Sequence, residues 1–114
     1  MKWNKYHAKK TAVDDMVFDS KAEALRWQEL RMLEHAGHIA DLQRQVPFEI
    51  IPQLKKKDGH RIPKTVYKAD FVYTDLHTGE QVVEDVKGFV TPEYRLKKKL
   101  MLWRYGIEIT EVKA

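Results

Sequence analysis

Asp70, Asp85 and Lys87 are the residues whose types and spacing could do chemistry. Residues 66–73 and 81–86 are rich in β-branched and aromatic types, and Asp75 to Glu80 between them reads as a turn, so Tyr67 to Gly88 is expected to form a β-hairpin. Side chains alternate faces along a strand, which puts Asp85 and Lys87 on one face and Glu84 and Val86 on the other. A register that sets Asp70 beside Asp85 brings two carboxylates and an ammonium together. Two such acids repel unless a cation lies between them. With the backbone carbonyl of Val86 they make an all-oxygen, anionic site suited to Mg²⁺ or Mn²⁺. A divalent ion there would activate and orient a water and neutralise charge on a phosphoryl oxygen, while Lys87 holds the water or stabilises the pentavalent phosphate. That is phosphodiester hydrolysis without a covalent intermediate. The same triplet also fits a surface salt bridge across a hairpin, which contributes little to stability.

The rest of the chain must place these groups. Its 114 residues, 43% of them hydrophobic, suffice for a single domain over residues 11–114, preceded by a basic arm at 1–10 in which Lys2, Trp3, Lys5, Tyr6, His7, Lys9 and Lys10 mix cations with aromatics. Such an arm is expected to be flexible, and it suits either a phosphate backbone or plain solvation. A net charge of +4 is compatible with a polyanionic partner, and the absence of cysteine excludes disulfides and thiolate metal sites. His35 and His38 flank a helix end at Gly37 and make a poor zinc pair. No apolar run approaches a membrane span, and no signal-peptide core follows the basic N-terminus, so a soluble, cytoplasmic protein is expected.

Thr11 to Phe18 suggests a small hairpin across Asp14 and Asp15. Ser20 with Glu23 fits a capping box and Gly37 a stop, which predicts a helix over 20–36. On a helical wheel Ala22, Leu25, Met32, Leu33 and Ala36 share the inner arc, and Glu29 falls inside it with Arg26 or Arg44 to neutralise it. Two short strands, 39–45 and 48–51, are expected on either side of Pro47, which argues for a bend or an edge position. Residues 54–65 read as a projecting basic loop turning at Asp58 and Gly59, with Lys55, Lys56, Lys57 and Lys64 as candidate DNA contacts. Thr91 and Pro92 start a second helix that ends at Gly106. Leu96, Leu100 and Trp103 are its expected core stripe, with Lys97 and Lys98 pointing away as further DNA contacts. A last strand over 107–112 follows, with Ile107 and Ile109 inward. Strand, helix, strand at the end makes a parallel pair, so the fold class is α/β or α+β with a mixed sheet flanked by two helices.

Glu23 in the first helix, Asp70 in one strand, Asp85, Val86 and Lys87 in the next and a basic helix after them resemble the PD-(D/E)XK nuclease superfamily. More narrowly, the run Phe18 to Glu23 with Tyr67 to Tyr73 and Val83 to Thr91 resembles a family of small phage and prophage proteins of formerly unknown function, over residues 11 to 112. The resemblance implies a restriction-endonuclease-like core and Mg²⁺-dependent cleavage of DNA, with branched DNA and Holliday-junction resolution within its range. It implies Asp70 and Asp85 as metal ligands, Lys87 as the motif lysine and Glu23 as the helix acid. Ala69 stands where the motif has proline. Glu84 could compete with Asp85 as ligand, and Glu23 could be cap or ligand; Gln45, Tyr94 and Lys97 are neighbourhood candidates. Cutting a junction symmetrically implies a two-fold homodimer. The alternatives are a nucleic-acid-binding module without catalysis and a partner-binding scaffold.

Overall fold

The computed structural model describes residues 10–13 and 16–114. The expected arm lies, except for Lys10, outside the described residues, as does the turn at Asp14 and Asp15. In chain order the elements are β1 (Thr11–Val13), β2 (Met16–Phe18), α1 (Lys21–His35), β3 (Ile39–Ile51), β4 (Leu54–Lys55), β5 (Arg61–Ile62), β6 (Thr65–Asp75), β7 (Gln81–Lys87), α2 (Pro92–Tyr105) and β8 (Thr110–Lys113). The central sheet runs β3-β6-β7-β8, while β1-β2 and β4-β5 are separate two-stranded ribbons. β3, β6 and β7 are antiparallel neighbours, and β8 joins β7 in parallel after the α2 crossover. The class is α+β with a mixed sheet. No helix among the described residues is long and apolar enough to cross a membrane.

Local chemistry sets both helix ends. Ser20 and Thr91 each accept a backbone N–H three residues on, and Gly106 closes α2 at φ 66, a left-handed conformation that an L side chain disfavours. The inward faces differ from the wheel. α1 buries Glu23, Ala24, Trp27 and Leu30, while Leu25 and Met32 face solvent and Glu29 is an exposed partner of Arg26. The wheel is misled because an acid, Glu23, heads the buried stripe and a wide Trp27 continues it. On α2 the anchors are Tyr94 and Met101; Leu96 and Trp103 are exposed. Lys97 and Lys98 are half-buried, in positions between those anchors rather than pointing away, with their ammonium groups on Glu93 and Glu111.

Two apolar clusters sandwich the sheet. Trp27 and Leu30 of α1 pack with Phe18, Phe71 and Tyr73; Tyr94 and Met101 of α2 pack with Ile50, Tyr67, Ala69 and Val83. β7 alternates regularly between the two, but β6 does not: Tyr67 and Ala69 face α2, whereas Phe71 and Tyr73, in the same parity, face α1. β3 changes face at the same level. Arg44 stacks on Phe18 under α1, while Val46 and Phe48 pack on the α2 side. Opposite Asp70, Gln45 has φ 54, and the pairing of Arg44 with Phe71 and of Val46 with Ala69 continues across the kink. β3 is thus one strand bent at Gln45, where two strands broken at Pro47 are expected from sequence; Pro47 itself pairs with Lys68 on the sheet's edge strand.

α1 is pinned to the sheet by charge. Glu84, fully buried on the α1 face, accepts from Arg26 through both oxygens, at 2.9 Å from Nε and 2.7 Å from Nη2, and also from the Tyr73 hydroxyl. Removing the cation alone would strand a buried carboxylate. Arg26→Ala is therefore expected to cost about 3–5 kcal/mol in urea denaturation. Replacing Arg26, Glu84 and Tyr73 together by Met, Leu and Phe should recover most of that loss.

Candidate active site

The β6–β7 ladder runs from Thr74 opposite Gln81 to Phe71 opposite Glu84 and stops one step short of Asp70 and Asp85. There the strands part. The Val86 N–H donates to the Asp70 side chain, Oδ2, at 2.7 Å. Because β6 changes face at this residue, Asp70 reaches toward both helices. It lines a cleft of about 410 Å³ with Asp19, Ser20, Glu23 and Val86 on the α1 side, and another of about 280 Å³ with Tyr67, Asp85, Tyr94 and Lys97 on the α2 side. Lys87 and Thr91 border both.

Asp85 sits on the α2 face and is 2% exposed. Its Oδ2 accepts from the Tyr67 hydroxyl at 2.6 Å; its Oδ1 is buried and accepts no hydrogen bond, although Lys87 Nζ lies 3.1 Å away. That contact is an ion pair whose angle does not make a hydrogen bond. Lys87 Nζ also lies 4.3 Å from the centre of the Tyr94 ring, so a cation–π contact and a carboxylate hold the ammonium at the cleft. Glu84 lies on the opposite face in the Arg26 pair and does not compete with Asp85 for the cleft.

Glu23 is buried at the head of α1. Ser20 caps its N–H at 3.1 Å, while its carboxylate turns to the sheet and accepts from Gln45 Nε2 at 2.8 Å. Burial pushes the Glu23 carboxyl above the usual range, as does the charge of Asp19, against the opposing pull of Arg44 and Gln45. Asp70 is pushed from its ordinary 3.8 up to about 8, first by burial and then by the charges of Asp85 and Glu23. Burial and the Asp85 charge likewise raise the Tyr67 hydroxyl.

These carboxyls suit a hard divalent cation. Asp85 offers a buried oxygen with no hydrogen bond, and Asp70 has an ionised form that its neighbours oppose. Among the described residues no three acidic or histidine side chains form a ready-made cation cage, so such an ion would complete its shell with the Val86 carbonyl, water and a phosphate oxygen. No histidine among the described residues lines either cleft: His38 Nδ1 lies 2.9 Å from His77 Nε2 on the surface.

Of the candidate DNA contacts, Lys55, Lys56, Lys57 and Lys64 are exposed on and beside the β4–β5 ribbon, whereas Lys97 and Lys98 are each paired with an acid. Sequence reasoning assigned no role to Tyr67 and Asp19. A tyrosine in the same strand as Asp70 and an acid beside the Ser20 cap are the signals that were there to be used.

A family model described as protein of unknown function, DUF1064, matches residues 3–113. The chain belongs to that family. No curated protein and no solved structure matches significantly.

The raised Asp70 carboxyl has a signed consequence. Its folded-state value of about 8 exceeds the ordinary 3.8, so the fold binds the extra proton and loses stability as pH climbs between those values. In chelator, wild-type melting temperature should fall over that window, and Asp70→Asn, which keeps an acceptor for Val86, should flatten the fall. At pH 8.5 the variant is expected to melt at least about 4 °C higher, equivalent to roughly 1 kcal/mol. Mg²⁺ should raise the wild-type value at that pH and leave the variant's unchanged.

Proposed function

We propose that the protein is a Mg²⁺-dependent endodeoxyribonuclease of the PD-(D/E)XK type. The observation that carries this reading is the parting of β6 and β7 at Asp70, opposite a buried Asp85 whose Oδ1 lacks a hydrogen bond, with Lys87 two residues on. Asp70, Asp85 and the Val86 carbonyl would hold the metal. When bound it would supply an activated water and charge neutralisation at the phosphoryl group. Glu23 adds a carboxylate from the α1-side cleft, which Asp70, Val86 and Lys87 also line. Lys87, held between Asp85 and the Tyr94 ring, presents a fixed positive charge to the phosphoryl oxygens as charge builds there. Tyr67 orients the Asp85 carboxylate through its Oδ2. The exposed lysines of the β4–β5 ribbon contact the DNA backbone, with Lys97 and Lys98 less available because of Glu93 and Glu111. The preference for branched DNA, two-fold pairing of protomers and a phage origin in a bacterial cytoplasm rest on the resemblance alone.

A nucleic-acid-binding module without catalysis is the second reading, favoured by the lack of a ready-made cation cage among the described residues. Labelled four-way junction, duplex and single-stranded DNA, each with Mg²⁺, Mn²⁺ or chelator, separate the two. Metal-dependent cleavage is expected. Asp70→Asn, Asp85→Asn and Lys87→Ala should each slow it by about 100-fold or more while retaining DNA binding. Variants that cut at the wild-type rate would remove the site assignment; binding without cleavage in either metal would leave the module. Charge reversal at Lys55 to Lys57 should weaken DNA binding and reduce its salt dependence.

A further inference from the structure

We propose that Gln45 is a positioning residue that holds the Glu23 carboxylate at the metal cleft, and that the left-handed backbone of β3 at this point exists to aim it. The inference rests on the nuclease reading above.

Two residues of β3 have positive φ, and they differ in kind. At Asp41 the pairing with β6 shifts between Ala40 and Gln43, so that conformation accommodates an extra residue in the strand. At Gln45 no extra residue is accommodated; β3 only changes face there, in step with β6. Arg44 pairs with Phe71 and Val46 with Ala69 in one unbroken register, with the Gln45 and Asp70 level between them left out of the ladder. A left-handed φ is costly for a residue with a Cβ, and glutamine lacks the short side chain that helps asparagine and aspartate adopt it. Its amide Nε2 donates to Glu23 Oε1 at 2.8 Å.

The chemistry of the donor matters. Glu23 is 4% exposed and bordered by Asp19 and Asp70. A carboxylate in that setting needs a partner if it is to keep one orientation. A cation would hold it but would spend its charge, and Arg44, the nearby cation, has its guanidinium over the Phe18 ring with Nη2 donating to the Val17 carbonyl. A neutral amide fixes one oxygen and leaves the negative charge for the metal, as outer-shell donors do for metal-ligating carboxylates.

Gln45→Gly separates the backbone from the side chain, since glycine accepts φ 54 without strain and only the amide is lost. The melting temperature in chelator should stay level or rise. Mn²⁺ binding, read by electron paramagnetic resonance without substrate, should weaken about 10-fold, and the Mg²⁺ concentration for half-maximal cleavage should rise by a similar factor. Glu23→Gln should weaken Mn²⁺ binding too, and adding Gln45→Gly to it should weaken it no further. Unchanged Mn²⁺ affinity in Gln45→Gly, additive losses in the double variant, or a melting temperature that falls with the affinity would each overturn the proposal. Wild-type protein that neither binds Mn²⁺ nor cuts DNA would overturn the nuclease reading and this inference with it; wild-type protein that does both, beside an unimpaired Gln45→Gly, would overturn this inference alone.

Discussion

An ionised carboxylate in an apolar core must be met by a cation and by hydrogen-bond donors, and Glu84 imposes that demand at the centre of the sheet. The cation that answers it is Arg26, three residues past Glu23 and on the same side of α1. Meeting the demand therefore brings the head of α1 over the place where β6 and β7 part. The next residue of β7, Asp85, points the other way and receives Lys87 and the Tyr67 hydroxyl. Two adjacent acids thus divide the labour, one tying a helix to the sheet and the other facing a cleft.

The matched kinks at Gln45 and Asp70 complete the arrangement. In a regular strand each side chain serves one face of the sheet. Here β3 and β6 exchange faces together, so their pairing survives while Asp70 lies at the crossing point, open to both helices. Asp70 shares one cleft with Glu23 of α1 and the other with Asp85 of β7 because the sheet is irregular at that level.

What was legible in the sequence was local. Turn residues and β-branched runs disclosed the β6–β7 hairpin, caps and glycines disclosed both helices, and strict alternation in β7 separated Glu84 from Asp85. The inward faces of the helices were not legible, because burial is decided by partners elsewhere in the chain. Glu23 is inside where Gln45 meets it, and Lys97 and Lys98 are half-buried with Glu93 and Glu111 as the partners of their charges. Leu25 and Trp103 are outside although their types suggested the core. The kink at Gln45 has no signature in composition at all, since glutamine is not a residue that announces a left-handed turn. Pro47, which does announce a break, sits on an edge strand where its missing donor is tolerated.

β3 is 13 residues long and forms one edge of the central sheet, a length of open backbone that could recruit a strand from another molecule and seed aggregation. Its irregularities work against that. Asp41 and Gln45 interrupt the extended geometry, and Pro47 removes a donor, so no long stretch of the edge presents a flat, evenly spaced row of hydrogen-bonding groups. The bend that opens the cleft on one side also leaves the free side of β3 a poor template for another chain.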